Sequence, residues 1–211
     1  MGAGVGVCGL LWPRLPLRVL GAEAPAAVLL LGFPLHQQET PYTCGPAAAR
    51  MVLEYLGHPL PEADLKRRMH TLPLLGTSPG QELKGLNYYL AQFHTGLVAK
   101  AVKGAAATNP VVLTSLQARL PVIASFITEN YFKPGTLVGH YSVLIGYNPA
   151  AEEFTLANPF GYTFTINTAR FWRLAEWKPA PGDLPEGVKD LKVPWVPFPR
   201  TLIVLEKQSS R

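Results

Sequence analysis

The stretch from Cys44 to Gly57 constrains the fold most, because both ends of one helix are written in it. Gly45-Pro46 ends an irregular run, and proline suits the first helical position, where its missing N–H would lack a partner in any case. Three alanines, then Met51, Leu53, Glu54 and Leu56, favour the helix, and Gly57 supplies a C-terminal stop. Ala48, Val52, Tyr55 and Leu56 fall on one face, which predicts a helix packed into a core. At its N-terminal edge stands Cys44, where unpaired backbone N–H groups and the positive end of the helix dipole favour thiolate over thiol. The alternative for such a cysteine is a small buried side chain with no chemistry.

With 211 residues, the chain is long enough to bury a real core in one domain. It is 48% hydrophobic and only 16% charged, which argues against disorder and for a compact protein, and its 21 prolines predict many loops and few long helices. The net charge is +5, but the basic residues are scattered apart from Lys66-Arg67-Arg68, read as a solvated helix face, so nucleic acid is not the expected partner. No apolar run approaches the roughly eighteen residues of a membrane span, so no integral membrane segment is expected. The two cysteines, Cys8 and Cys44, do not make a disulfide framework.

Residues 1–25 stand apart. Met1 to Leu20 is apolar but broken by Pro13-Arg14 and Pro16-Arg18, and Ala22-Glu23-Ala24 has the small-x-small form of a signal-peptidase site. A signal peptide, a disordered leader and ordered structure all remain open, and with them a cytoplasmic or a secreted location. Residues 26–178 read as the main domain and 179–211 as a Pro-rich strap with a final strand.

Within the main domain, Ala26 to Leu35 reads as a buried strand delivering His36-Gln37-Gln38 toward Cys44. Helical segments are expected from Pro59 to about Met69, from Pro79 to about Phe93 and over Val111 to Ala118, with strands at Leu97–Val102 and Pro121–Thr128. Gly139–Tyr147 and Glu153–Ala157 form a hairpin across Asn148-Pro149-Ala150-Ala151, followed by an extended Phe160–Ile166 and, much later, a strand at Thr201–Leu205. Leu74–Gly80 and Glu129–Leu137 are candidate rim loops. Helices come first and strands later, which is an α+β pattern with helices packed on an antiparallel sheet.

A thiolate nucleophile needs a base, and the base an orienting group. Of five histidines, His140 opens the strongest strand, while His36, His58, His70 and His94 are most simply surface or capping residues. If the hairpin turns near residue 150, Ser142 faces Asn158, and His140 lies diagonally from Asn158 on the same face. The Asn158 carbonyl oxygen then holds one imidazole nitrogen and leaves the other for the thiol. Asn158-Pro159 read alone is simply a turn. An oxyanion in the reaction calls for donors, for which the Cys44 N–H and the Gln38 amide are candidates, with Gln37 in reserve. No His, Cys, Asp and Glu set shows metal-ligand spacing, and no cofactor is expected.

Gln38 six positions before Cys44, the run Cys44-Gly45-Pro46-Ala47, then Gly139-His140-Tyr141-Ser142-Val143 and Asn158-Pro159, resemble the cysteine peptidases that include the bacteriocin-processing domains of export transporters, and especially their stand-alone relatives. The resemblance spans about Leu31 to Trp177. It implies a papain-like fold, with Gln38 as oxyanion donor, Cys44 as nucleophile, His140 as base and Asn158 as orienter. Thr43 and Asn158 depart from the transporter pattern, which carries an acidic residue before the cysteine and Asp-Pro at the later site. No transporter segments follow, so double-glycine leader specificity is not carried over. The expected activity is hydrolysis of amide bonds in a peptide or protein substrate, with Cys44 and His140 resting as thiolate and imidazolium. The rivals are acyl transfer by the same site and a non-catalytic peptide-binding module. The sequence leaves the oligomeric state open.

Overall fold

The computed structural model describes residues 25–73, 75–129, 137–176 and 200–208. The expected leader up to residue 24, Leu74, the interior of the 129–137 loop, Trp177 and the Pro-rich strap lie outside the described residues.

A two-residue strand β1 (Val28–Leu29) is followed by helices α1 (Cys44–Tyr55), α2 (Glu62–Arg68) and α3 (Pro79–Gln92). Strand β2 (Leu97–Lys103) leads through a single 3-10 turn to α4 (Asn109–Gln117), then come β3 (Val122–Glu129), β4 (Leu137–Asn148), β5 (Glu153–Asn158) and β6 (Tyr162–Asn167). Helix α5 (Thr168–Ala175) and β7 (Thr201–Lys207) complete the described elements. All the pairings are antiparallel, in the order β2-β7-β3-β4-β5-β6, with β1 against the far end of β4. The α+β architecture is as the sequence predicts.

Helix α1 is buried almost all round, at Ala47, Ala48, Ala49, Met51, Val52 and Leu53, and packs against α2, α3 and β4. Its small residues allow that close approach. The helix starts at Cys44, so Pro46 is its third residue and not its first. This costs no hydrogen bond, because the first four helical N–H groups have no acceptor within the helix. Gly57, at φ +87°, is the expected stop. Helix α3 begins with a capping box between Ser78 and Gln81, and its Asn87 side chain donates to the Ala99 carbonyl (2.9 Å) and accepts the Ala99 N–H (2.7 Å). This reciprocal amide covers the outer edge of β2, which has no strand beyond it among the described residues.

One expectation needs correction, and two features go beyond the sequence reading. The apolar run Ala26–Leu35 makes only the two-residue β1, because the chain turns at Leu31-Gly32, where Gly32 has φ +70°. Phe171 and Trp172 sit on α5, which the sequence reading leaves out; Asn167 caps it by accepting from the Ala169 and Arg170 N–H groups (3.0 and 3.3 Å). The expected strand at Thr201–Leu205 forms, and its place is central: β7 lies between β2 and β3, with Leu202–Leu205 buried. Arg200, just before β7, stacks on the Trp172 ring, pairs with Glu176 (2.7 Å) and donates to the Ala107 carbonyl (2.9 Å), fastening β7 to α5 and to the segment before α4.

Candidate active site

The segment Thr40–Thr43 folds back on itself ahead of α1. The Thr43 hydroxyl donates to the Thr40 carbonyl and accepts the Thr40 N–H, each at 3.1 Å, so it is turned away from the helix and caps none of its N–H groups. The N-terminus of α1 is left open, with Cys44 as its first residue. Glu62, fully buried at the start of α2, accepts the Glu39 N–H at 3.0 Å and lies beside the Thr43 hydroxyl and the Arg50 guanidinium. Burial raises its pKa, and the Thr43 hydroxyl and Glu39 N–H pull the other way. Lys66 of the same helix donates to the Tyr42 hydroxyl at 3.0 Å. Helix α2 therefore holds the loop that leads to Cys44.

Gln38 is buried, and its backbone N–H donates to the Pro159 carbonyl at 2.6 Å, while Gln37 forms a bridge with Phe160. The segment upstream of the cysteine is thereby sewn to the residues just after Asn158. The Gln38 side chain faces the Thr40 carbonyl at 2.6 Å. A carbonyl oxygen only accepts, so the facing atom is Nε2, whose second N–H remains to donate elsewhere. Gln38 Oε1 is buried and has no hydrogen-bond partner among the described residues.

His140 and Asn158 meet. The imidazole Nε2 lies 2.9 Å from Asn158 Oδ1, and the Phe160 backbone N–H donates to the same oxygen at 3.0 Å. That backbone group is an obligate donor, so it fixes which end of the Asn158 amide faces it; the oxygen in turn requires a proton on His140 Nε2. The lone pair of the neutral ring is then on Nδ1. The Phe160 ring stacks on His140 with centroids 4.6 Å apart, and Phe126 meets the imidazole edge-on at 5.8 Å.

The expected register holds beside the site for a reason the sequence does not display. Val143 pairs with Ala157 and Leu144 with Leu156, but from Gly146 paired with Thr155 to the turn the register is offset by one residue, with a bulge at Ile145. Had the turn-side register continued, Asn158 would oppose Val143 and point to the face away from His140, because side chains alternate along a strand. The bulge therefore sets the phase that brings Asn158 to His140.

Cys44 is buried, and the backbone N–H groups of Tyr141, Gly45 and Cys44 face its sulfur. Tyr141 directly follows His140 on β4, which puts the thiol against the strand that carries the imidazole. Burial outweighs these donors and pushes the Cys44 thiol up to about 11, with the nearby Glu82 carboxyl adding to the rise. Burial likewise pulls His140 down to about 4, against the opposing effect of its hydrogen bond to Asn158. The dry site thus works against both charges of the thiolate and imidazolium expected from the sequence, pushing the pair toward a neutral thiol and a neutral imidazole.

Two buried acids, Glu62 and Glu82, escape the sequence reading. Each lies one turn ahead of an apolar stripe, Glu62 before Leu65 and Met69, Glu82 before Leu86, Tyr89 and Leu90, and that periodicity marks them as inward-facing. Among the described residues no group of three His, Cys, Asp or Glu side chains clusters as metal ligands would. No helix among them is long and apolar enough to cross a membrane.

No curated protein matches the chain. Solved structures do. The peptidase domain of Streptococcus ComA, a bi-functional ABC transporter involved in quorum sensing, is 17% identical and aligns over 83% of this chain and 99% of its own, with a TM-score of 0.53. A C39-like peptidase from Bacillus anthracis is 14% identical over 88% of this chain and 100% of its own, with a TM-score of 0.58. Xylellain, a cysteine protease from Xylella fastidiosa, is 10% identical over 86% of each chain, with a TM-score of 0.52. Likenesses at such identities carry the fold, which is papain-like. The Peptidase_C39 like family model matches residues 30–178, most of the chain, and the protein belongs to that family.

Proposed function

We propose that the protein is a cysteine peptidase that cleaves peptide bonds through an acyl-enzyme on Cys44. The observation that carries this reading is the doubly occupied Asn158 oxygen, which fixes the His140 proton on Nε2 and leaves Nδ1 as a base on the strand facing the thiol. As the sulfur attacks the scissile carbonyl carbon, the thiol proton passes to His140 Nδ1, and the carbonyl π electrons move to oxygen. The uncapped N–H of Cys44 and the second N–H of Gln38 Nε2 are the donors for that oxyanion. The imidazolium exists only from this point, held by Asn158, and gives its proton to the leaving amine. A water then attacks the thioester with His140 again as base, releasing the acid and the thiol.

The test is a peptide-library digest with the intact protein and with Cys44→Ala. New peptide ends that depend on Cys44 are expected. Identical product profiles would overturn the reading.

A further inference from the structure

Glu82 is a fully buried carboxyl group that the proposed reaction does not use. It stands in the first turn of α3, and neither of its oxygens has a hydrogen-bond partner among the described residues. Its Oε2 is 2.5 Å from where a Cβ on Gly45 would stand, so the carboxyl lies against the Cα of the residue that follows the nucleophile. The Thr77 side chain closes the same spot at 3.1 Å, and the Thr77 carbonyl accepts from the Tyr141 hydroxyl at 3.1 Å. Glu82 is thus sealed between the start of α1 and the strand that bears His140.

The titratable groups that feel Glu82 are Cys44 from α1 and Tyr141 from β4, and burial holds Tyr141 neutral. From the α2 side Met69, just past the helix, meets α3 at Gly85 and Arg68 stacks on the Tyr88 ring, and β2 meets α3 through Ala99 at Asn87. None of these contacts brings a charge to the carboxyl, and among the described residues what perturbs it is burial.

We propose that Glu82 is a positioning residue for Cys44 that works in its protonated form. Neutral, it fills the space behind Gly45 and leaves the positive end of α1 unopposed. Ionised, it puts a negative charge in the same dry volume as the thiolate, and like charges so placed cannot both form cheaply. Glutamine would fill that volume equally well; what the carboxyl adds is a proton that can leave. Burial pushes the Glu82 carboxyl up to about 8, which puts this change where thiols react. The inference rests on Cys44 as the nucleophile, and not on the identity of the substrate.

The experiment compares the iodoacetamide alkylation rate of Cys44 from about pH 5 to about pH 10 in the full chain and its Glu82→Gln variant, both carrying Cys8→Ser so that one thiol is read. The two curves should coincide below about pH 7 and diverge above it, with the variant roughly tenfold faster at about pH 9, the size of one pKa unit. Coincident curves throughout, or a variant slower at every pH, would overturn the proposal. A second reading needs no variant: with 13Cδ-labelled glutamate, one carboxyl of the unsubstituted protein should titrate near 8. If every glutamate titrates below about pH 6, the proposal falls. A Glu82-dependent alkylation profile in a chain whose digests match those of Cys44→Ala would support this inference and remove the peptidase reading.

Discussion

In the proposed reaction Asn158 serves through one oxygen that receives two donors, so truncating it removes at once the acceptor of the imidazole and of the Phe160 N–H. Asn158→Ala should lower kcat by about ten- to hundredfold, the range for losing a buried hydrogen bond of this kind, with KM little changed. Asn158→Asp keeps the acceptor and adds a negative charge that favours the imidazolium. The acid limb of kcat/KM, expected near 4 from the depressed His140, should therefore move to higher pH in this variant. Steady-state kinetics across the acid range check both outcomes. Glu62 is a different case, because it touches the loop and not the reacting groups. Glu62→Gln keeps an oxygen for the Glu39 N–H and should change kcat little, whereas Glu62→Ala loosens the Gln38–Thr43 loop and should cost about ten- to hundredfold in kcat. Equal losses in the two variants would assign the effect to charge instead of to the hydrogen bond.

At the level of the strands, the site depends on the one-residue bulge in β4. Gly146, at that offset, is crowded: a Cβ would stand 2.8 Å from Leu29 Cδ1, the tip of an exposed side chain that can swing away, and 3.0 Å from Thr155 Cβ, which would have to give slightly. Gly146→Ala should destabilise the fold by about 1 kcal/mol, the low end of the cost of overpacking, read as a lower urea midpoint. The strands β4 and β5 are legible from their alternation, and His140 and Asn158 follow from the register of the two. The bulge is not, because an extra residue leaves no mark in an apolar run such as Val143-Leu144-Ile145. The expected pairing was right beside the site and one residue off beside the turn. Helix α5 is hidden for a related reason: Phe171 and Trp172 suit a strand as well as a helix, and only the Asn167 cap distinguishes them. The protonation of the site is illegible altogether, since burial sets it and the sequence alone carries no depth.

For the whole molecule, two buried groups tilt stability in opposite directions with pH. His140 titrates near 4 when folded against an ordinary 6.5, so the unfolded chain gains its proton first and stability is lost as pH falls through that window. Glu82 titrates near 8 against an ordinary 4.5, so the unfolded chain loses its proton first and stability is lost as pH rises through that window. Between 6.5 and 8 only the second of these effects operates. Thermal melts should show a decline there of at most about 2 kcal/mol, one proton's worth over the interval, and Glu82→Gln should flatten it. An unchanged slope in the variant would place the decline elsewhere.

The central place of β7 has a consequence for how the protein comes to exist. Ser125 of β3 meets Thr201 of β7 across 76 positions of chain, and the pairing of β2 with β7 spans still more. As the chain leaves the ribosome, the thiol, the imidazole and the amide are all made while the slot between β2 and β3 is still empty. Contacts of such long sequence separation form slowly, because their loops must close before any bond rewards them. The order of synthesis and the order of the sheet run against each other, so the strand that braces β3, and through it the His140 strand, is the last of the described strands to arrive.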